Sequence, residues 1–116
     1  MNIRFQADAN LDPDIGFGLQ RREPAIDYRL SSGIIPDALS DNEVLGLAKR
    51  DGRVLVSNDV RTMPSHFAEF IQAEDSPGLI LIPSRVSIGE AIDGLLIAWL
   101  SWTPEEMRNQ IRWLPR

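Results

Sequence analysis

The chain has 116 residues, contains no cysteine and carries a formal net charge of −5 at pH 7. This length predicts a single domain spanning 1–116, and the lack of cysteine excludes disulfides, thiolate metal sites and cysteine nucleophiles. The acidic balance argues against general coating of a phosphate backbone. The longest apolar run, 94–100, is too short to cross a bilayer, so we expect a cytoplasmic protein with no membrane partner.

The first third of the chain predicts two strands separated by a short helix. Apolar and polar residues alternate over 3–7, which is typical of a strand. A helix over 12–22 begins with Asp12 and Pro13, and we expect Asp12 to cap it. A second strand covers 25–30, and glycine and proline predict an irregular segment over 31–39.

The clearest helix in the sequence covers 40–52. Ser40 and Glu43 form the Ser-x-x-Glu capping-box pattern, and Asp51-Gly52 ends the helix. Near-continuous apolar runs later in the chain are typical of parallel strands covered on both faces. The remaining predicted elements are a strand over 53–57, a helix over 64–74, a strand over 78–83, a helix over 87–102 and a last strand over 109–115.

This alternation of strands and helices indicates an α/β fold. It predicts a mainly parallel sheet of about five strands between helices on both faces, joined by right-handed crossovers. In such sheets, ligands bind at the carboxyl ends of the strands near the point where the strand order reverses. Candidate site residues are therefore sought directly after the strands.

Acidic residues lie at those positions. Asp8 follows the first strand, Asp59 follows the third, and Asp41 and Glu43 begin the helix between the second and third. If the first and third strands are neighbours, Asp8 and Asp59 can share one divalent ion, and carboxylate oxygens suit Mg²⁺ or Mn²⁺. Simpler explanations stay open: Asp8 as a turn residue, Glu43 as a cap and Asp41 as a partner of the helix dipole.

Two other acidic sites do not fit the pattern. A calcium loop starting at Asp8 requires glycine at its sixth position and glutamate at its twelfth, where this chain has Pro13 and Leu19. A phosphoryl-accepting receiver domain requires a lysine after its last strand, and Lys49, the one lysine of the chain, lies in a predicted helix. Asn10 either orients Asp8 or a metal-bound water, or it only serves the turn.

We expect the histidine and the tryptophans to have structural roles and not to form a functional site. His66 is the only histidine, which excludes a histidine metal cluster, and we expect it on a helix surface or in packing. Trp99, Trp102 and Trp113 are expected in the core or on a dimer face.

Several blocks of the sequence, in this order, resemble a known family. They are "RFQADANLDPDI", "SDNEVLGLAKRDGRVLVSND", "VRTMPSHFAEFI" and "SPGLILIP", followed by "SIGEAIDGLLIAWL". Together they look like the PIN-like family of small bacterial proteins described as nucleases of toxin–antitoxin systems. The resemblance covers nearly the whole chain and implies a three-layer PIN-like fold and a ribonuclease dependent on Mg²⁺ or Mn²⁺.

The resemblance also assigns roles to residues. It implies that Asp8, Glu43 and Asp59 are the catalytic and metal-binding acids, with Asp41 beside Glu43. Where relatives often carry a second acid and a histidine, this chain has Ala9 and Asn58. Asn10, Asp41, Asn58 and Arg61 are candidates for supporting the acids or contacting substrate, Arg61 through a phosphate oxygen.

The resemblance implies RNA as the substrate and an antitoxin protein as a partner. The alternative is a catalytically weak or inactive PIN-like module that binds an antitoxin or forms a homodimer through its tryptophan-bearing helix.

Overall fold

The structure is a computed structural model that describes residues 1–36 and 38–115. Residue 37, within the predicted irregular segment 31–39, and residue 116 lie outside it. Five strands and five helices follow one another in these ranges. They are β1 (Phe5–Ala7), α1 (Pro13–Arg22), β2 (Tyr28–Arg29), α2 (Asp41–Arg50), β3 (Val54–Ser57), α3 (Met63–Ala73), β4 (Leu79–Leu81), α4 (Ile88–Ser101), α5 (Pro104–Met107) and β5 (Ile111–Trp113).

All five strands form one parallel sheet in the order β2-β1-β3-β4-β5. The predicted parallel α/β sheet is thus confirmed, and β1 and β3 are neighbours. Phe5 pairs with Val54 and Ala7 with Val56, so the two strands run in step and their carboxyl ends lie side by side. The chain leaves β1 for β2 on one side and later returns to β3 on the other, so the strand order reverses between β1 and β3.

A hydrophobic core covers each face of the sheet. Helices α1 and α4 pack together on one face, and α2 and α3 on the other. Because successive strand residues point to opposite faces, Val54 and Val56 enter the first core while Leu55 enters the second. Burial on both faces explains why the strand sequences are almost continuously apolar.

Side-chain caps begin most of the helices. Asp12 accepts a hydrogen bond from the backbone N–H of Asp14, as expected, at the start of α1. The Ser40/Glu43 capping box is present at α2, and the same motif recurs at α4 and α5. Such caps satisfy backbone N–H groups that a first helical turn leaves without partners, each worth about 1 kcal/mol.

The structure corrects the lengths of several predicted strands and adds one helix. The predicted strand over 25–30 pairs only at Tyr28–Arg29, because Ile26 closes a turn onto the Glu23 carbonyl. The strands predicted over 3–7, 78–83 and 109–115 are also shorter than expected, with three residues each. Helix α5 was not predicted, since its four residues are too few to show a helical period.

The most apolar helix is α4, which extends over 14 residues. At about 1.5 Å per residue it is near 21 Å long, shorter than the roughly 30 Å of a bilayer's hydrocarbon layer. No helix in ranges 1–36 and 38–115 combines the length and apolar composition needed to cross a membrane.

Candidate active site at the carboxyl edge of the sheet

Three carboxylates line one pocket of about 260 Å³ at the carboxyl edge of the sheet. They are Asp8 after β1, Asp41 in the first turn of α2 and Asp59 after β3. Asn10 lines the same pocket, and Ile35, Leu39 and Val44 form its apolar wall. We call this the acidic pocket. Its position at the reversal of strand order is the one that the sequence predicted for a ligand site.

The buried hydroxyl of Ser57 connects two of the acids. It donates a hydrogen bond to Asp8 Oδ2 at 2.7 Å and accepts one from the backbone N–H of Asp59 at 3.1 Å. The other oxygen of Asp8, Oδ1, accepts a hydrogen bond from the N–H of Ala9 at 2.8 Å. Ser57 is the last residue of β3 and is fully buried, so the rigid strand end holds the carboxylate of Asp8 in place.

Asp59 shapes the turn that leads into α3. Its Oδ1 accepts hydrogen bonds from the backbone N–H groups of Arg61 and Thr62, and the Thr62 hydroxyl contacts its Oδ2. Partial burial raises the pKa of Asp59, but these hydrogen bonds, with a further one from the Met63 N–H, outweigh it and bring the pKa below its ordinary value. The carboxylate is therefore ionised at neutral pH.

Asp41 joins the same network from the first turn of α2. The Thr62 oxygen lies 3.2 Å from Asp41 Oδ2, as well as in contact with Asp59. Because a hydroxyl carries a single proton, Thr62 can donate to only one of the two acids at a time. His66 Nε2 also lies 3.5 Å from Asp41 Oδ2, so the single histidine borders the acidic network and is half-exposed.

Glu43, the helix acid implied by the resemblance, is engaged elsewhere. Its Oε1 accepts hydrogen bonds from the backbone N–H and the hydroxyl of Ser40 at 3.1 and 2.9 Å. The backbone hydrogen bond and then the hydroxyl of Ser40 lower the pKa of Glu43. Glu43 is exposed and is not among the residues that line the acidic pocket, whereas Asp41, two positions earlier, lines it.

The remaining candidates surround the acids. Asn58 donates through Nδ2 to the Asn10 carbonyl at 3.3 Å, which ties the loop after β3 to the loop after β1. Asn10 itself lines the acidic pocket. The Arg61 side chain is exposed, two residues from Asp59, and it makes no ion pair with another residue of the described chain.

The chemistry of the acidic pocket fits a hard divalent cation. Among the residues that the structure describes, three carboxylates line it and no arginine or lysine does, so no basic side chain in this lining balances their charge. Within 1–36 and 38–115, no three acidic or histidine side chains are close enough to bind one ion directly. Magnesium ordinarily retains several waters and takes only one or two carboxylates, so an ion in this pocket would need waters in addition to Asp8 and Asp59.

A larger cavity of about 370 Å³ lies at the opposite edge of the sheet, beside Ile3, Val54 and Pro104. Among the described residues that line it, Asp75 is the single acid, and its carboxylate accepts a hydrogen bond from Asn109. Arg4, Lys49 and Arg108 also line it, so the described lining of this cavity is mainly basic, in contrast to the acidic pocket.

Three residues of the network were not predicted as site residues. They are Ser57, Thr62 and His66, which contacts Asp41. One local signal existed, because Asp59-x-x-Thr62 directly before a helix is typical of an aspartate that caps a turn. Ser57 carried no signal beyond being a polar residue at the end of an apolar strand. The approach of His66 to Asp41 joins α3 to α2 and has no counterpart in the local sequence.

Replacing Thr62 with Val is expected to raise the pKa of Asp59 toward its ordinary value and to cost about 1 kcal/mol of stability at pH 7. A carboxylate whose pKa is lowered in the folded state stabilises the protein above its unfolded pKa, and this contribution is lost as the pH falls through the folded pKa. The variant should therefore lose less stability than the parent between neutral and acidic pH. Urea unfolding at several pH values, with NMR titration of Asp59, measures both effects.

Thr62→Ser is the control for this prediction, because it retains the hydroxyl and should keep the lowered pKa. Equal Asp59 titrations in the parent and in Thr62→Val would contradict it.

Comparison with known proteins adds no relative: no family model, no curated protein and no solved structure matches the chain.

Proposed function

We propose that this chain is a PIN-like ribonuclease that hydrolyses RNA phosphodiesters with Mg²⁺ or Mn²⁺. One observation carries the proposal. Asp8, Asp41 and Asp59, from three separate parts of the chain, line a single pocket at the point where the strand order of a parallel sheet reverses. Carboxylates that face one pocket repel one another, a cation there would reduce this repulsion, and it would lie where a phosphate can approach from solvent.

Asp8 and Asp59 are the residues that would hold the ion, and Asp41 is the third acid. Glu43, which the resemblance assigns to this role, must first leave its capping box with Ser40, whereas Asp41 already lines the pocket. When bound, the ion supplies polarisation of the scissile phosphate, a lower pKa for an attacking water and balance for developing negative charge.

The other side chains of the site position these acids. Ser57 holds Asp8 at the tip of β1, and Thr62 lies between Asp41 and Asp59. Because their donors come from a buried strand end and the start of a helix, the carboxylates keep a fixed orientation toward the pocket. Arg61, exposed beside Asp59, is available to donate two parallel hydrogen bonds to a phosphate.

The resemblance of the sequence blocks to PIN-like proteins is the second support. It extends the proposal to the biological setting, in which the chain acts as the toxin of a toxin–antitoxin pair and an antitoxin protein is its partner. RNA cleavage is common to every role of a small ribonuclease, so this biochemical activity is the part to test first.

The deciding experiment incubates purified protein with a mixed pool of single-stranded and folded RNA. Cleavage is expected with Mg²⁺ or Mn²⁺ and not with a chelator, and addition of excess metal should restore it. Intact RNA at every metal concentration, with a folded protein, would refute the proposal. Ribonuclease contamination is excluded if the Asp8→Asn protein, purified identically, leaves the pool intact.

A second candidate function is that of a homodimeric interaction module without catalysis. The observation in its favour is that Ile97 and Leu100 on α4 and Trp113 on β5 are 52%, 68% and 48% exposed, and that β5 is an edge strand of the sheet. An open edge strand flanked by apolar side chains on both faces is complementary to itself across a two-fold axis. A second copy of the chain is therefore the partner that this surface fits.

Trp113→Glu is expected to weaken such a dimer at least about tenfold, since a buried tryptophan is commonly worth 2 kcal/mol or more at an interface. Sedimentation velocity over a range of concentrations measures the change. Phe17→Glu, an exposed aromatic on α1, is the control. A parent protein that stays monomeric throughout, or a dimer unaffected by Trp113→Glu, would contradict this candidate.

A further inference from the structure

Most basic side chains in the described part of the chain already have a partner. Those with a carboxylate within 4 Å include Arg29 and Arg53, Arg4 donates to the Asp51 carbonyl, and Arg112 lies over the Trp102 ring. The three without an ion pair, a side-chain hydrogen bond or an aromatic contact within 1–36 and 38–115 are Arg21, Arg61 and Arg85.

Two of these arginines lie at the edge that carries the acidic pocket. Arg61 is in the loop after β3, and Arg85 is in the loop after β4, between Ser84 and Val86. Because the sheet is parallel, both loops leave its carboxyl edge. Arg21 lies near the end of α1, a helix that starts at this edge and runs back along the sheet, so it belongs to the opposite end of the molecule.

A groove of about 550 Å³ lies between the loops after β1, β3 and β4, and it shares Asn10 with the acidic pocket. Leu11, Ile82 and Val86 make its apolar walls, and Asn10, Asn58 and Ser84 add polar groups. This volume lies within the range of roughly 300–1,000 Å³ typical of small-ligand sites, as does the mixture of apolar walls with a few polar side chains. We call it the side groove.

From this arrangement we infer that the side groove is a nucleoside subsite for single-stranded RNA, with Arg61 and Arg85 contacting the phosphates on either side. This inference rests on the proposed function, since the acidic pocket supplies the place of the scissile phosphate. A base that has left its stack buries its ring against apolar walls and hydrogen-bonds through its edge. Asparagine amides offer both a donor and an acceptor for such an edge.

The positions of the two arginines also explain how an acidic chain can bind a polyanion. Net charge is −5, and the acidic pocket repels phosphate until a cation enters it. Arg61 and Arg85 place positive charge at this edge, and within 1–36 and 38–115 neither guanidinium group has a carboxylate within 4 Å. Guanidinium groups suit the task because they contact phosphate through two parallel hydrogen bonds. A duplex keeps its bases stacked and is expected to bind less well than a single strand.

The first test compares Arg85→Gln with Arg21→Gln, both in an Asp8→Asn background so that the RNA stays intact. The probe is a fluorescently labelled single-stranded RNA of mixed sequence, and fluorescence anisotropy reports binding at several salt concentrations. Arg85→Gln is expected to weaken binding about tenfold and to lower the salt dependence by about one released ion. Arg21→Gln, which removes an equally unpaired arginine, should stay within about twofold of its background.

The second test fills the side groove without changing charge. Ser84→Trp places a large side chain in its wall and is expected to weaken RNA binding about tenfold, while Ser101→Trp, an exposed position at the far end of α4, should not. Circular dichroism verifies that each variant is folded.

Any of three results would overturn the subsite. The first is equal RNA affinity of Arg85→Gln and Arg21→Gln, and the second is equal RNA affinity of Ser84→Trp and Ser101→Trp. The third is equal affinity of the protein for a duplex and for a single strand. Failure of the subsite proposal can be distinguished from failure of the ribonuclease proposal. The expected binding pattern in a chain that cuts no RNA supports the subsite and refutes the nuclease, whereas metal-dependent cleavage without this pattern refutes only the subsite.

Discussion

Replacing Asp8 with Asn should lower metal-dependent RNA cleavage by at least about a hundredfold, because an ion that loses a charged ligand loses several kcal/mol of transition-state stabilisation. The fold should survive. Asn has nearly the same shape, and its amide oxygen can still accept the hydrogen bond that Ser57 donates to Asp8. Single-turnover cleavage at saturating enzyme, with thermal unfolding followed by circular dichroism, measures the two effects separately.

Asp14→Asn is the matched control for this variant. Asp14 is exposed in the first turn of α1 and does not line the acidic pocket, so cleavage should stay within about twofold while the same charge is removed. Undiminished cleavage by a folded Asp8→Asn protein would remove Asp8 from the reaction. Equal losses in both variants would indicate a general effect of charge rather than a specific site.

Replacing Gly78 with Ala is expected to cost about 3 kcal/mol or more of the free energy of unfolding. Gly78 precedes β4 with φ of +123°, and a Cβ there would lie 2.5 Å from the Met107 carbonyl oxygen. The clash is with backbone, which cannot move aside as a flexible side chain can. Because Leu55 donates a backbone hydrogen bond to the Gly78 carbonyl, the strain reaches the centre of the sheet. Urea unfolding monitored by tryptophan fluorescence measures the loss.

Gly46→Ala is the opposite case within the same chain. Gly46 lies inside α2, and nothing is within 4 Å of the position its Cβ would occupy. The variant should gain about 0.5–1 kcal/mol of stability from the lower conformational entropy of its unfolded state. A Gly78→Ala protein as stable as the parent would show that α5 does not approach β4 as closely as the structure has it.

The order and type of the secondary-structure elements followed from local sequence. The apolar runs of β3 and β4 indicated strands buried on both faces, and the Ser40/Glu43 pattern marked the start of α2. Strand lengths were less well predicted, because the end of a strand depends on where its neighbour stops offering hydrogen bonds. For Tyr28–Arg29, at one edge of the sheet, that neighbour is β1 alone.

Some residues of the candidate site could be predicted from the sequence, and others could not. Asp8 and Asp59 were identified because acids directly after parallel strands share an edge of the sheet, and both line the acidic pocket. The choice between Asp41 and Glu43 was not available from sequence. Both lie in the first turn of α2, but the third helical position turns Glu43 back onto Ser40, while the first directs Asp41 to the pocket.

By itself, the sequence determined that this chain forms a parallel α/β sheet with acids at the ends of its strands, because hydrophobic period, caps and turn residues act over a few neighbours. Tertiary structure alone decided that β1 lies beside β3, that Thr62 reaches Asp41 and Asp59, and that Arg61 and Arg85 share one edge. These contacts join residues far apart in the chain. They exist only once burial of both faces of the sheet has set the strand order, which no short stretch of sequence encodes.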